Sequence, residues 1–139
     1  MTEAELIDRT KEFALRVLKL IDALPSSKSG HTIGWQLSRS ATSVAANYRA
    51  ACRGRSVAEF AAKLGVVEEE ADESAFWLQL VIEANLLKRP LVQPLYDEAT
   101  QLTKIMAASR KTLSRNESRR SSANRKSQIA NRKSSAVRP

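Results

Sequence analysis

Apolar side chains recur along this chain in alternating steps of three and four, the spacing that places them on one face of an α-helix. Leu6, Thr10, Phe13, Val17, Leu20 and Leu24 form the first stripe, flanked by Ile7, Ala14 and Ile21. Ahead of it, Thr2-Glu3-Ala4-Glu5 has the Ser/Thr-x-x-Glu form of a capping box, whose hydroxyl and carboxylate satisfy free N–H groups of a first turn. Pro25 and the run Ser26-Ser27-Lys28-Ser29-Gly30 predict the end of that helix and a loop. Leu37, Ala41, Val44, Tyr48 and Ala51 form the second stripe, with Ala45 and Cys52 beside it and Gly54 as a natural stop. Ser56-Val57-Ala58-Glu59 is a second capping box, so helix three starts almost at once and must run antiparallel to helix two.

The third stripe, Phe60, Leu64, Val67, Ala71, Ser74, Leu78 and Val81, is thickened by Phe76, Trp77 and Leu80. It predicts a helix from Val57 to Leu87, closed by Lys88-Arg89-Pro90. Leu95, Ala99, Leu102, Met106, Ser109 and Leu113 make the fourth, with Ile105 adding bulk and Pro94 suited to a first turn. Four amphipathic helices with short links predict an all-α fold, an antiparallel up-down-up-down four-helix bundle over residues 1–113. After Leu113 the periodicity collapses. Residues 114–139 offer only Ile129 and Val137 as sizeable apolar groups, so the sequence predicts a disordered basic C-terminal tail. Ala123-Asn124-Arg125-Lys126-Ser127-Gln128-Ile129 is nearly repeated as Ala130-Asn131-Arg132-Lys133-Ser134-Ser135-Ala136. That repeat has no apolar seam, and duplicated DNA read through into the frame would leave the same trace.

Composition sharpens this picture in two places. Four Gly and four Pro in 139 residues, with abundant Ala, Leu, Glu, Lys and Arg, favour helix over sheet. The formal charge of +8 is unevenly held: the tail carries +7, and residues 1–113 only +1. An argument from high pI to nucleic acid is therefore an argument about the tail. One cysteine, Cys52, allows no intrachain disulfide. The acidic start lacks the features of a signal peptide and no apolar run could span a bilayer, so a cytoplasmic location is expected and no membrane partner.

Candidate chemistry is sparse. Glu68-Glu69-Glu70-Ala71-Asp72-Glu73 invites a metal reading, but a di-metal bundle needs Glu-x-x-His pairs on two helices, and the single histidine, His31, falls in the expected loop. Cys52 lies at the edge of an apolar stripe, as a structural thiol would, and no Gly-rich phosphate loop or paired-cysteine spacing is present. No catalytic residue, cofactor, metal or small-molecule substrate is expected. Trp35 and Trp77 are expected in the core or between subunits, and seven aromatics are too few for a base-stacking platform.

Charge offers more. Between Lys28 and Arg55 there are five basic residues and no acid, and between Glu59 and Glu83 seven acids against Lys63 alone. Antiparallel neighbours of opposite sign attract, so Glu68, Glu69, Asp72 and Glu73 are candidates for inter-helix or inter-subunit charge pairing. Alternatively, Arg39, Arg49, Arg53 and Arg55 form a ridge that binds the phosphates of RNA or DNA.

The middle of the chain carries a recognisable order of patches. They are Trp35-Gln36-Leu37-x-Arg39-Ser40-Ala41-x-Ser43-Val44-x-x-Asn47-Tyr48, Arg55-Ser56-x-x-Glu59-Phe60-x-x-Lys63-Leu64, and Glu68-Glu69-x-x-Asp72-Glu73-x-x-Phe76-Trp77. Over about residues 5–113 the chain resembles the bacterial four-helix-bundle proteins of the rRNA intervening-sequence family. Many relatives have Glu-Gly after that asparagine, where this chain has Arg49-Ala50-Ala51. The resemblance implies a homopentamer, a ring of bundles around a channel, and most members of the family have no assigned activity. A related branch comprises the accessory proteins of diversity-generating retroelements, basic pentamers that bind nucleic acid and a reverse transcriptase; the near-neutral bundle here matches that branch poorly. Two functions follow as expectations. One is a non-enzymatic homo-oligomeric scaffold or interaction protein whose first partner is itself. The other is a nucleic-acid-binding accessory protein acting through helix two and the tail.

Overall fold

A computed structural model describes residues 1–136 as four helices, α1 (Glu3–Asp22), α2 (Lys28–Cys52), α3 (Val57–Glu83) and α4 (Arg89–Ala136). Val137 and Arg138, counted with the tail above, lie outside the described residues. Each helix packs on two neighbours in the ring α1–α2–α3–α4, and the diagonal pairs do not touch. The three links are short and successive helices reverse direction, so the fold is the all-α antiparallel four-helix bundle.

Local chemistry explains the helix ends. At α1, Thr2 Oγ1 accepts from the Glu5 N–H (3.1 Å) and Glu5 accepts from the Thr2 N–H (2.9 Å), a complete capping box. At α3, Ser56 Oγ accepts from the Glu59 N–H (3.1 Å), but the Glu59 carboxylate reaches one residue further out, to the Arg55 N–H (2.7 Å).

Three boundaries differ from the sequence expectation. Lys28, Ser29 and Gly30, expected in a loop, are the first turn of α2, and His31 is helical too, because Ser27 Oγ accepts from the Gly30 N–H (3.0 Å) and caps the helix. Gly30 is needed by close approach, since a Cβ there would overlap the carbonyl oxygen of Pro25. The third helix stops at Glu83 rather than Leu87. Asn85 turns left-handed (φ 55°), and the N–H groups of Asn85 and Leu86 donate to the carbonyls of Ile82 and Val81 (3.0 Å each), a Schellman closure. Lys88-Arg89-Pro90 thus lies at the start of α4 rather than the end of α3. That places Pro94 in the second turn of α4 and brings Val92 into the core, fully buried.

Phe13, Leu37, Leu64, Leu78, Leu102 and Met106 fill the centre, each under 2% exposed. Burying a leucine of this kind contributes about 1.5–3 kcal/mol. Small residues bring α2 and α3 together: Ser74 Oγ donates to Ser40 Oγ (2.9 Å), which donates to the Leu37 carbonyl (3.3 Å). Thr10, also fully buried, donates to the Leu6 carbonyl (2.8 Å). The indole N–H of Trp77 is the single buried side-chain polar group without a partner among the described residues.

Burial ends where the apolar stripe ends. Leu113 is half-buried, and every residue in 114–134 is exposed. The backbone continues as helix to Ala136, because no Gly or Pro interrupts it and the bundle-held part of α4 supplies the nucleus. A helix with no packed face gains only local propensity and is marginal in water, consistent with the disordered tail read from the sequence.

Candidate functional site

Charged side chains occupy the faces that the bundle leaves outward. Along the α2–α3 seam, Arg39 pairs with Glu70 (3.4 Å) and with Glu73 in a shorter contact. Across α3–α4, Arg110 pairs with Glu68 (2.9 Å). Across α1–α4, Arg9 grips Glu98 with two hydrogen bonds, Nε to Oε2 at 2.8 Å and Nη2 to Oε1 at 2.6 Å. This last pair is the best shielded, with side chains 29% and 17% exposed, and the bond to Glu98 raises the Arg9 pKa. Partial burial raises the Glu70 pKa, against the pull of Arg39. Exposed pairs contribute about 0–1 kcal/mol each and act mainly by setting register.

The four acids singled out from the sequence thus divide between two sides of α3. Glu73 faces α2 and Glu68 faces α4, while Glu69 and Asp72 line a shallow groove with Thr103 and Arg110. The other members of these ion pairs, Glu70, Arg110, Arg9 and Glu98, were not among the candidates, and only Glu70, inside the acidic run, carries a signal in the sequence. The four arginines divide as well. Arg39 is held by α3, roughly 15 Å along the helix from Arg49. Arg49, Arg53 and Arg55 are exposed and have no ion-pair partner among the described residues. They cluster at the end of α2, the end of the bundle where Val57 lies beside Leu113, Arg119 and Arg120 of α4.

The structure does not bring Cys52 and His31, the single thiol and the single imidazole of the chain, together. Cys52 is half-buried and burial pushes its thiol up, away from the thiolate a nucleophile needs. His31 sits on the same helix about 30 Å away. No group of three or more His, Cys, Asp and Glu among the described residues could hold a metal ion, and none of the described helices is long and apolar enough to cross a membrane.

Apolar surface is the other outward feature. Trp35 is 66% exposed, so it is not a core residue, and it flanks a groove of about 410 Å³ with Ile21, Leu24 and Pro25 between α1 and α2. Phe76 on α3 is 50% exposed and meets Trp77 edge to face at 5.0 Å. Leu15, Leu18 and Val66 are exposed on the outer sides of α1 and α3.

Fold and surface together define a four-helix bundle that carries charged and apolar patches on its outer faces. Residues 2–108 match the family of 23S rRNA-intervening sequence proteins, and the chain belongs to that family. It is also similar to a solved structure from Bacteroides thetaiotaomicron, a protein of unknown function from the S23 ribosomal protein family. The two are 30% identical, with a TM-score of 0.73 over 80% of this chain and 99% of that one. No curated protein matches the chain.

Proposed function

We propose that this protein is a non-enzymatic scaffold that works as a homo-oligomer in the cytoplasm, five copies in a ring as the resemblance implies. The observation that carries the reading is Trp35, an indole left 66% exposed beside an apolar groove. Phe76, 50% exposed on a different helix, gives the bundle a second apolar patch. Two unlike patches suit a head-to-tail interface, which closes into a ring when the rotation allows. The acidic outer side of α3 and the basic outer side of α2 would add register.

Size in solution tests this directly. Light scattering on the full chain at micromolar concentration is expected to give a multiple of the protomer mass, and Trp35→Ser is expected to lower it while helicity is retained. A wild-type monomer at that concentration refutes the scaffold ring.

A second reading is favoured by Arg49, Arg53 and Arg55. They stand exposed and unpaired among the described residues, at the end of the bundle where the basic extension leaves. It makes the protein a nucleic-acid-binding accessory, in the manner of the retroelement branch, with Arg39 removed from the ridge by its bonds to α3. Loss of RNA or DNA binding in Arg49→Gln/Arg53→Gln would support it.

A further inference from the structure

The match to the family ends at residue 108 and packing ends at Leu113, yet α4 continues for another 23 residues to Ala136. A helix of 3.6 residues per turn sorts its side chains by angle. Lys104, Lys111, Arg115, Arg119, Lys126 and Lys133 all fall within a sector of about 80°, and all six are exposed. This sector lies opposite the face on which Leu95, Leu102 and Met106 are buried. Two of the six are on the bundle and four on the extension, so the line of charge crosses the point where packing stops. At 1.5 Å per residue it is about 43 Å long.

The arrangement of opposite and spare charge is consistent with this. Below Asp97 no acid lies on the sector, and Glu117, the single acid after Glu98 in α4, falls on the other side of the helix. Three further cations, Arg120, Arg125 and Arg132, point elsewhere around it. None of the six has an ion-pair partner among the described residues, in contrast to Arg9, Arg39 and Arg110.

We propose that this face of α4 is a binding rail for the phosphate backbone of duplex nucleic acid. The rail's side chains are Lys and Arg, which neutralise phosphates without reading bases. The bundle anchors Lys104 and Lys111 in a fixed register. The marginal helix beyond them gains order when phosphates quench the repulsion between its cations. A single helix of this diameter fits the major groove of B-form DNA, whereas the major groove of A-form RNA is too deep and narrow for it. Duplex DNA is therefore the tighter partner. The proposal does not depend on the scaffold ring, and it places the nucleic-acid contact on a different helix from the arginines of α2.

Fluorescence anisotropy of a labelled 24-base-pair DNA duplex with the full chain tests this across a salt series from 50 to 200 mM. Six phosphate contacts predict a loss of affinity of about a thousandfold over that range, with a log–log slope near −5. Lys126→Gln with Arg119→Gln and Lys133→Gln should flatten the slope by about 2.7. Arg120→Gln with Arg125→Gln and Arg132→Gln removes the same charge from the other faces and should change it by less than one. Lys104→Gln with Lys111→Gln, on the packed part of α4, should flatten it by about 1.8. Equal effects of the two charge-matched triple variants would overturn the rail, as would absence of binding by the wild-type chain. Loss of binding confined to Arg49→Gln/Arg53→Gln would overturn it in favour of α2. An RNA duplex bound as tightly as DNA would overturn the groove argument.

Discussion

Three glycines lie inside helices of this bundle, and the same substitution to alanine should act on them in three different ways. Alanine favours helix over glycine by about 1 kcal/mol in an exposed interior position, so the default effect is a gain. Gly65 on α3 keeps that gain, because an added Cβ would meet only Arg110 Cδ at 3.9 Å, an ordinary contact. At Gly34 the Cβ would lie 3.2 Å from Leu24 Cδ1 and 3.5 Å from Ile21 Cγ2. Those are ends of flexible side chains, and the small readjustment should leave stability near neutral. At Gly30 the Cβ would overlap the Pro25 carbonyl oxygen and stand 3.1 Å from Ser27 Oγ. Backbone cannot swing aside as a methyl can, so the α1–α2 link must shift. Overpacking of this kind costs about 1–3 kcal/mol, and losing the Ser27 cap adds about 1 kcal/mol. Set against the propensity gain, Gly30→Ala should destabilise by about 1–3 kcal/mol and Gly65→Ala should stabilise by about 0.5–1 kcal/mol. Urea unfolding followed by circular dichroism at 222 nm, at one fixed protein concentration because association contributes to stability, measures both. Gly30→Ala at least as stable as wild type, or Gly65→Ala clearly less stable, would refute the packing of the α1–α2 link or of the α3–α4 seam described above.

Other regions give equally direct expectations. A double-mutant cycle on Arg9→Ala and Glu98→Ala should show a coupling of about 1 kcal/mol, larger than for Arg39 and Glu73, because the pair is bidentate and better shielded. Cys52 should react with iodoacetamide more slowly in the folded protein than in urea at pH 8, as read by mass spectrometry. Burial holds its pKa above that of the unfolded chain, so the thiol favours the fold at lower pH and this contribution fades as pH rises through the folded pKa. Truncation after Leu113 should leave the urea midpoint unchanged, since every residue in 114–134 is exposed; a midpoint lower by 1 M would mean the extension packs on the bundle.

Most of the core is legible in the sequence, and the reasons it is legible also explain the gaps. The stripe from Leu6 to Leu20 reads correctly because its members keep the three-four spacing, and Thr10, its one polar member, satisfies its hydroxyl on the Leu6 carbonyl within the same helix. The start of α2 reads as a loop because Ser26-Ser27-Lys28-Ser29-Gly30 has loop composition. Its serine is a cap and its glycine answers a close approach by Pro25, and both facts exist only in three dimensions. Val92 is hidden for a similar reason: Pro90 looks like the end of one helix, and only the left-handed turn at Asn85 shows that the end has already come. The opposite charge of α2 and α3 is plain in the sequence. Which acid meets which arginine is not, because Glu68 and Glu73 turn to different neighbours although they are five residues apart. Trp35 carries no sequence mark that separates an exposed indole from a buried one.

The ring and the rail, proposed separately, make a joint prediction through symmetry. In a cyclic ring every protomer has the same orientation relative to the axis, so in a ring whose bundles stand along that axis all the α4 extensions leave from one end of the assembly. Each brings the +7 of residues 114–139 from a bundle that is nearly neutral, so the assembly's field is strongly one-sided. Extensions held close together present several rails to one duplex, and the second contact is then intramolecular, governed by local concentration. Trp35→Ser should therefore weaken DNA binding although Trp35 lies on α2, away from the rail. The salt slope per bound rail should stay as in the wild type, because the phosphates each rail neutralises are unchanged. Anisotropy with Trp35→Ser at concentrations where light scattering shows dissociated protomers makes the comparison. Unchanged affinity in the dissociated variant would mean that one rail acts alone. Affinity that stays weak even at concentrations where the variant reassociates would mean that Trp35 touches the nucleic acid itself, and the indole would then have to be reassigned from the ring interface to the binding surface.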